Sequence, residues 1–503
     1  MPTYLSPGVY VEEVQSGSRP IEGVGTAVAA FVGLAAKGPF NEPRLLTNWG
    51  QFTATFGEFV DGSYLAHAVY AYFLNGGGAA YVVRVGADGA APVASAEIPA
   101  AEGGKAAFRV LALESGSAGN DVSVEVQAPT EAAEGAFKLI IKQGGRVVET
   151  FDNVVAGKGK QNVATQVKAQ SKVITIEEVG ALAAPATTTV TLAGGAATMP
   201  ARVTPSDYVG SSADRTGFAG LEAVDEITML AVPDLMAVYE KGIIDAEGVK
   251  AGQLAMIAHC ELMGDRVAIL DAPPGRNAQQ VKEWRVDKAG YDSKYAALYW
   301  PWVKVFDPLS GQAKFIPPSG AMAGIWARND AERGVHKAPA NEVVRGAIAL
   351  EIQVTKGEHD QLNPHGINVI RAFPGRGIRV WGARTLSSDT SWRYLNVRRL
   401  FNYVEESILE GTQWVVFEPN DMALWERVKR TATAFLTLTW RQGALFGATP
   451  QEAFYVKCDA ETNPPDVIDA GQLVVEIGIA PVKPAEFVIF RIAQFSGGAG
   501  VSE

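Results

Sequence analysis

Residues 226–234 read EITMLAVPD, residues 251–264 AGQLAMIAHCELMG, residues 265–275 DRVAILDAPPG and residues 295–305 YAALYWPWVKV. The first, third and fourth are short apolar runs bounded by Pro, Asp and Gly. The second spaces its apolar residues as a helix does. Strands that alternate with helices predict a mostly parallel sheet. This stretch therefore sets the core as α/β.

The same pattern appears upstream. TAVAAFVGLA (26–35) is a strand ended by the KGPF turn, and TNWGQFTATFGE (47–58) is loosely helical. SYLAHAVYAYFLNGGG (63–78) puts Leu65, Ala68, Val69, Tyr72 and Phe73 on one helical face, with Asn75-Gly76 as a left-handed stop. YVVRV (81–85) completes a strand–helix–strand unit. Between about 90 and 203 the pattern changes to short alternating runs, such as FKLIIKQGGRVVETF (137–151) with a QGGR hairpin turn. QNVATQVKAQ (161–170) is the one weak helix there. This region is expected to be a β-rich domain inserted into the α/β core.

Downstream, residues 387–411 predict a helix with Asp389 to Ser391 available as caps and Gly411 as the stop. In the next helix, 420–442, Leu424, Trp425, Val428, Ala432, Phe435 and Leu436 fall on one arc. Glu426, Arg427, Lys429 and Arg430 fall on the opposite one. AFYVKCD (453–459), QLVVEIGIAPV (472–482) and EFVIFRIAQF (486–495) are strand-prone. At the other end, SPGVYVEEV (6–14) is a strand with no local partner, on a Gly/Pro/Ser-rich tether, SGSRPIEGVG (16–25). The expected organisation is an N-terminal strand arm (1–20), an α/β core in two parts (21–89 and 204–380), the inserted β-rich domain (90–203), an α+β C-terminal domain (381–484) and a C-terminal strand arm (485–503).

Composition limits the function. The 503 residues exceed one ordinary core, and 47% apolar with 20% charged residues is a globular balance. A net charge of −11 argues against nucleic acid and against an anionic membrane surface. No apolar run is long enough to span a bilayer, and the N-terminus does not read as a secretory signal, so production in the cytoplasm is expected. Cys260 and Cys458 read as small buried side chains.

Asp225 or Asp234, His259 and Ser319 occur in the chain order of subtilisin-type proteases, but their contexts argue against a nucleophile. His259 sits inside a helical run, and Ser319, after Pro317-Pro318, reads as a helix N-cap. The five histidines show no ligand spacing. The NGGG cluster follows a helix, whereas a phosphate loop needs strand, glycines, helix. No catalytic, cofactor or metal site is predicted.

PPSGAMAGIWARNDAERGVHKAPAN (317–341) resembles the signature of contractile tail sheath proteins, found in phage tails, tailocins and phage-tail-like injection systems. SPGVYVEEV, TAVAAFVGLAAKGPFNEPRLLTNWGQFTATFG, ESGSAGNDVSVEV, LNPHGINVIRAFPGRGIRVWGARTL, WRYLNVRRLFNYVEESI and VVEIGIAPVKPAEFVIFRIAQ resemble other parts of the same family, in order. The resemblance implies a non-enzymatic subunit that polymerises as stacked hexameric rings around an inner tube. Baseplate and terminator or cap proteins would be its other partners, with no direct membrane insertion. The sleeve would be assembled extended in the bacterial cytoplasm and contract to drive the tube through a membrane. It further implies that Val9, Tyr10, Val11, Val14, Phe487, Val488, Ile489, Phe490 and Ile492 are donated as strands to neighbouring subunits. The acceptors would be the strands carrying Tyr455, Val456, Val474, Val475 and Ile477, and the tether glycines would be the hinge. Because the C-terminal domain faces the tube in this family, Arg427, Lys429 and Arg430 would meet the tube. A bacterial injection system is the leading reading; a contractile-tailed phage or tailocin is the alternative, and an α/β hydrolase-like enzyme a remote one.

Overall fold

In the computed structural model, residues 20–86, 93–101, 106–113, 117–131, 133–177, 184–195 and 203–492 are described. Val9, Tyr10, Val11 and Val14 lie outside them.

The core sheet has eight strands: β1 (Val28–Gly33), β2 (Arg44–Leu46), β3 (Ala79–Arg84), β4 (Met229–Ala231), β5 (Val267–Asp271), β6 (Ala296–Trp300), β7 (Ile367–Phe373) and β8 (Gly377–Val380). Their order is β8-β7-β6-β5-β4-β1-β3-β2. The ladders from β3 through β1 to β7 are parallel, and β2 and β8 close the edges antiparallel. Strands β4, β5 and β6 are buried at every position, as a sheet covered on both faces demands. The run 295–305, read as one strand, is two. Pro301, which has no N–H to give a ladder, ends β6, and Val303–Asp307 starts a separate antiparallel sheet.

Between β3 and β4 the chain leaves the core and builds a four-stranded and a three-stranded sheet around their own apolar cluster, which includes Phe108, Leu139, Ile141 and Phe151. Gly144 and Gly145, both at positive φ, make the tight turn between strands Ala136–Gln143 and Arg146–Val155. The weak helix forms at Val163–Gln170, capped by Asn162.

The signature segment forms helix α3 (Ser319–Arg333), which packs on α1 (Leu65–Asn75). A Cβ on Gly320 would lie 2.4 Å from the Ala68 backbone, and one on Gly324 would lie 2.4 Å from the Tyr72 carbonyl. These two glycines, one turn apart, exist so that the helices can touch. Arg328 then caps the end of α1 through Asn75 O at 2.9 Å.

Ser319 is not the N-cap. It is the first helical residue, and its amide donates to Asp271 Oδ1 at 2.8 Å, so a carboxylate from the end of β5 caps the helix from a distance. Helix 387–411 also starts later than expected. Asp389 caps a short 3₁₀ turn, Thr390–Trp392, and α4 runs Leu395–Gly411.

The third apolar cluster unites α4 with α5 (Met422–Arg441) and with two strands, β9 (Phe454–Lys457) and β10 (Glu476–Ile479). Ile21 from the tether is buried in it, Val24 N bonds Ser407 Oγ at 3.1 Å, and a Cβ on Gly23 would collide with the Tyr403 ring. The second half of the tether is thus packed on α4. Within the described part of the tether, Gly23 serves close approach to the Tyr403 ring, whereas Gly25 faces open space.

Candidate assembly site in the C-terminal region

Strands β9 and β10 form an isolated antiparallel pair. Ala480 N donates to Ala453 O at 2.8 Å, which makes that opposed pair a hydrogen-bonded one. Alternation then gives hydrogen-bonded pairs at Tyr455/Gly478 and Lys457/Glu476. The peptide groups of Phe454 and Val456 point to one outer edge, and those of Ile477 and Ile479 to the other. Beyond β10 the second edge is taken by Ala444–Phe446, with Phe446 N donating to Ala480 O at 2.8 Å. Among the described residues, the edges at Val456 and at Ile477 carry no further strand.

Of the expected acceptors, Tyr455, Val456 and Ile477 lie in this pair, while Val474 and Val475 do not. Asn463 explains why: it takes the Val474 N–H at 2.7 Å and donates to the Val474 carbonyl at 3.0 Å. Both Val474 peptide groups are spent, so the ladder starts only at Glu476.

The segment Phe487–Ile492 lies in no strand or helix of this chain. Phe487, Val488, Ile489, Phe490 and Ile492 are between 69 and 95% exposed. Five large apolar side chains in water within six residues are a contiguous apolar patch, and such patches mark contact surfaces. Immediately before them the chain is fastened. Glu486 accepts from Arg384 Nε at 2.8 Å and Nη2 at 2.6 Å, from Asn363 Nδ2 at 2.8 Å and from the Tyr394 hydroxyl at 3.2 Å. Burial pushes the Glu486 carboxyl up, but the bonds from Arg384 and Asn363 and the Arg384 charge outweigh it and hold it below the usual range. Sequence reading missed this clamp. Its only signal was a lone Glu ahead of an apolar run, which says nothing about a partner about a hundred positions away.

Helix α5 buries the arc Leu424, Trp425, Val428, Ala432, Phe435 and Leu436. On the outer arc Arg427 pairs with Glu418 at 2.9 Å and lies over the Trp414 ring, and Lys429 is 3.8 Å from Glu426. Arg430 is exposed and has no ion-pair partner among the described residues. The basic arc is therefore mostly neutralised within the chain.

The protease-like trio is dispersed into structural roles. Asp234 is fully buried and accepts from the amides of Leu34 (2.6 Å), Tyr64 (2.5 Å) and Leu65 (3.0 Å). Burial pushes its carboxyl up to about 6 against those bonds. His259 lies 3.4 Å from Arg266 and edge-on to Phe218, and burial with the Arg266 charge pushes it down to about 4. Ser319 meets Asp271 instead. Cys260 and Cys458 are buried and free.

The chain is a multidomain mixed α/β protein that carries an open strand pair and an exposed apolar segment. Comparison with known proteins gives the family. Residues 203–386 match the phage tail sheath protein central domain, and residues 387–495 match the phage tail sheath C-terminal domain. The chain belongs to the contractile tail sheath protein family. It is 26% identical over 508 residues to the tail sheath protein of Burkholderia phage BcepMu, covering 96% of this chain and 95% of that one. With the tail sheath protein of Vibrio phage KVP40 it shares 26% over 250 residues, 47% of this chain and 36% of the phage protein. Against the first three curated relatives the match spans between 34 and 57% of their length. Among solved structures, the helical sheath of the anti-feeding prophage in its contracted state matches with a TM-score of 0.60 at 25% identity, over 98% of this chain and 100% of that one.

Proposed function

We propose that this chain is the sheath subunit of a bacterial contractile injection system. In this reading it stacks as hexameric rings around an inner tube, is assembled extended in the cytoplasm and contracts on a baseplate signal, with a terminator closing the far end. The division into arms, two-part core, insertion and C-terminal domain accompanies it, and the three separate apolar clusters support that division.

One observation carries the reading: an apolar segment clamped at Glu486 and exposed over residues 487–492, together with a strand pair with open edges at Val456 and Ile477. Tail and edge are complementary, since strand addition gives main-chain bonds to the edge and shelter to the apolar side chains. Donation to a neighbour links subunits through a segment that bends while the domains move as bodies. The N-terminal arm, through Val9, Tyr10, Val11 and Val14, would add the second strand.

Two truncations imaged by negative stain test this. Chains lacking residues 1–20 or 487–503 are expected to fold and stay soluble but to form no striated sleeves. Unfolding of both, or normal sleeves from both, overturns exchange. The second reading, a sheath of a contractile-tailed phage or tailocin, is favoured by the end-to-end match with a phage protein. Capsid and terminase genes beside this one would select it.

A further inference from the structure

A cleft of about 320 Å³ opens between the turn Trp284–Ala289, the turn Asn363–His365 and the segment Arg384–Ser388. Two arginines in its wall form no salt bridge among the described residues. Arg285 is 9% exposed, its Nη2 makes one 3.3 Å bond to Leu386 O, and its Nε has no hydrogen-bond partner among the described residues. Its turn is a π-helical one closed by Gly290 N on Arg285 O at 3.1 Å. Such wide turns displace a side chain from the regular helical track and recur at functional sites. Arg393 also lines the cleft, is half-buried and makes no side-chain bond among the described residues.

The remaining charges in the wall form no salt bridge with them. Arg384 also lines the cleft, but Glu486 already holds it. Asp292, the one carboxylate in the described wall, accepts from Ser388 N at 2.8 Å and Ser388 Oγ at 2.6 Å; its charge reaches Arg285, but no salt bridge joins the two. His365 is pushed down by burial and by the charges of Lys282 and Arg285, in that order, so it adds no cation at neutral pH. A guanidinium stays protonated even when buried, and a buried cation without its bonds costs free energy that an anion would recover.

We propose that this cleft is an oxyanion site in which Arg285 and Arg393 bind a carboxylate or phosphate group. Two forked donors facing one cleft suit a planar or tetrahedral oxyanion, and the volume admits a carboxylate side chain as well as a free ion. On a chain of net charge −11, a carboxylate presented by a second copy is one ready source; a free phosphate is the other.

Thermal unfolding of the full chain in inorganic phosphate, against chloride at equal ionic strength, tests the site. Arg393→Gln and Arg285→Lys serve as variants. If the site takes a free oxyanion, phosphate raises the midpoint progressively, with the logarithm of its concentration above the Kd. Arg393→Gln then abolishes that rise without changing the midpoint in chloride, while Arg285→Lys, which keeps the charge, retains part of it. If a second copy fills the cleft, phosphate does little and Arg393→Gln stops sleeve formation. That arm rests on the proposed self-assembly; wild-type chain that forms no sleeves refutes the assembly reading and leaves the phosphate arm to judge the cleft. No phosphate effect together with normal Arg393→Gln sleeves overturns the proposal.

Discussion

Arg399 of α4 meets Asp330 of α3 through two bonds, 2.9 Å from Nη1 and 2.5 Å from Nη2, and both side chains are almost fully buried. Thr26 completes the junction: its hydroxyl donates to Asp330 at 2.7 Å and its carbonyl accepts from Arg399 at 2.9 Å. The Trp326 ring lies 4.9 Å from the Arg399 guanidinium. Three parts of the chain are thereby fixed at one point, namely the entry to β1, the signature helix and the C-terminal helix. Asp330→Asn leaves a buried cation uncompensated and is expected to cost about 3–5 kcal/mol. Denaturant unfolding would read this as a lower midpoint at unchanged slope. The double change Asp330→Asn with Arg399→Met is expected to cost less than the two single changes together.

Gly324→Ala drives a methyl group into the Tyr72 carbonyl of the neighbouring helix and is expected to destabilise by about 1–3 kcal/mol. Gly357, in the helix Lys356–Leu362, faces open space, and a methyl group added there would meet no atom within 4 Å. Gly357→Ala is thus expected to be neutral or to stabilise by about 0.5–1 kcal/mol. Equal losses from both changes would contradict the close-packing account of the signature glycines.

Asp271 gives the chain a pH dependence. Burial pushes its carboxyl up to about 7, although the Ser319 bonds pull the other way. A carboxyl raised on folding contributes stability that is complete below its unfolded value and is lost as pH rises through its folded value. The window here is about 4 to 7, and Asp234, pushed up to about 6, acts in the same direction. Asp271→Asn keeps an acceptor for the Ser319 amide and cannot ionise. Its melting temperature is expected to fall less than that of the wild type between about pH 5 and pH 8. Parallel profiles would remove Asp271 from the account.

Glu486→Gln keeps the shape of the clamp and removes its charge, so Arg384 loses its ion pair. Hydrogen bonds to charged groups contribute about 1.5–3 kcal/mol each, which sets the expected local loss. The readout is trypsin cleavage at Arg491, expected to be faster in the variant while the global unfolding midpoint changes little. Unchanged cleavage would show that Glu486 does not hold the tail. Because the folded carboxyl lies below its usual range, the clamp is present above the unfolded value and weakens in acid as pH falls through the folded one.

For the outer arc of α5, the internal pairs of Arg427 and Lys429 shift the weight onto Arg430. Exposed pairs contribute roughly 0–1 kcal/mol and are screened by salt, which would suit the proposed contact with an inner tube that has to release. Replacing Arg427, Lys429 and Arg430 with Glu is expected to give sleeves that form contracted or without a tube, and Arg430→Glu alone most of that effect. Normal extended particles from the triple variant, seen by negative stain, would take the tube off this face.

What the sequence by itself determined is local and periodic. The buried strands β4, β5 and β6, the left-handed stop at Gly76, the hairpin at Gly144-Gly145 and the apolar arc of α5 follow from patterns within a few residues, and backbone geometry converts such patterns directly into structure. The resemblance of the signature segment pointed to the family without explaining its residues. Tertiary structure alone decided that Gly320 and Gly324 face α1, that Asp271 rather than Ser319 caps α3, and that Asn463 shortens β10 at Val474. It also decided that Asp330 meets Arg399 and that Glu486 meets Arg384. Each of these joins residues far apart in the chain through a carboxylate, an amide or a missing side chain. A single polar residue or glycine has no period in the sequence, so its partner becomes visible only when packing brings the two together and burial makes leaving either one unpaired costly.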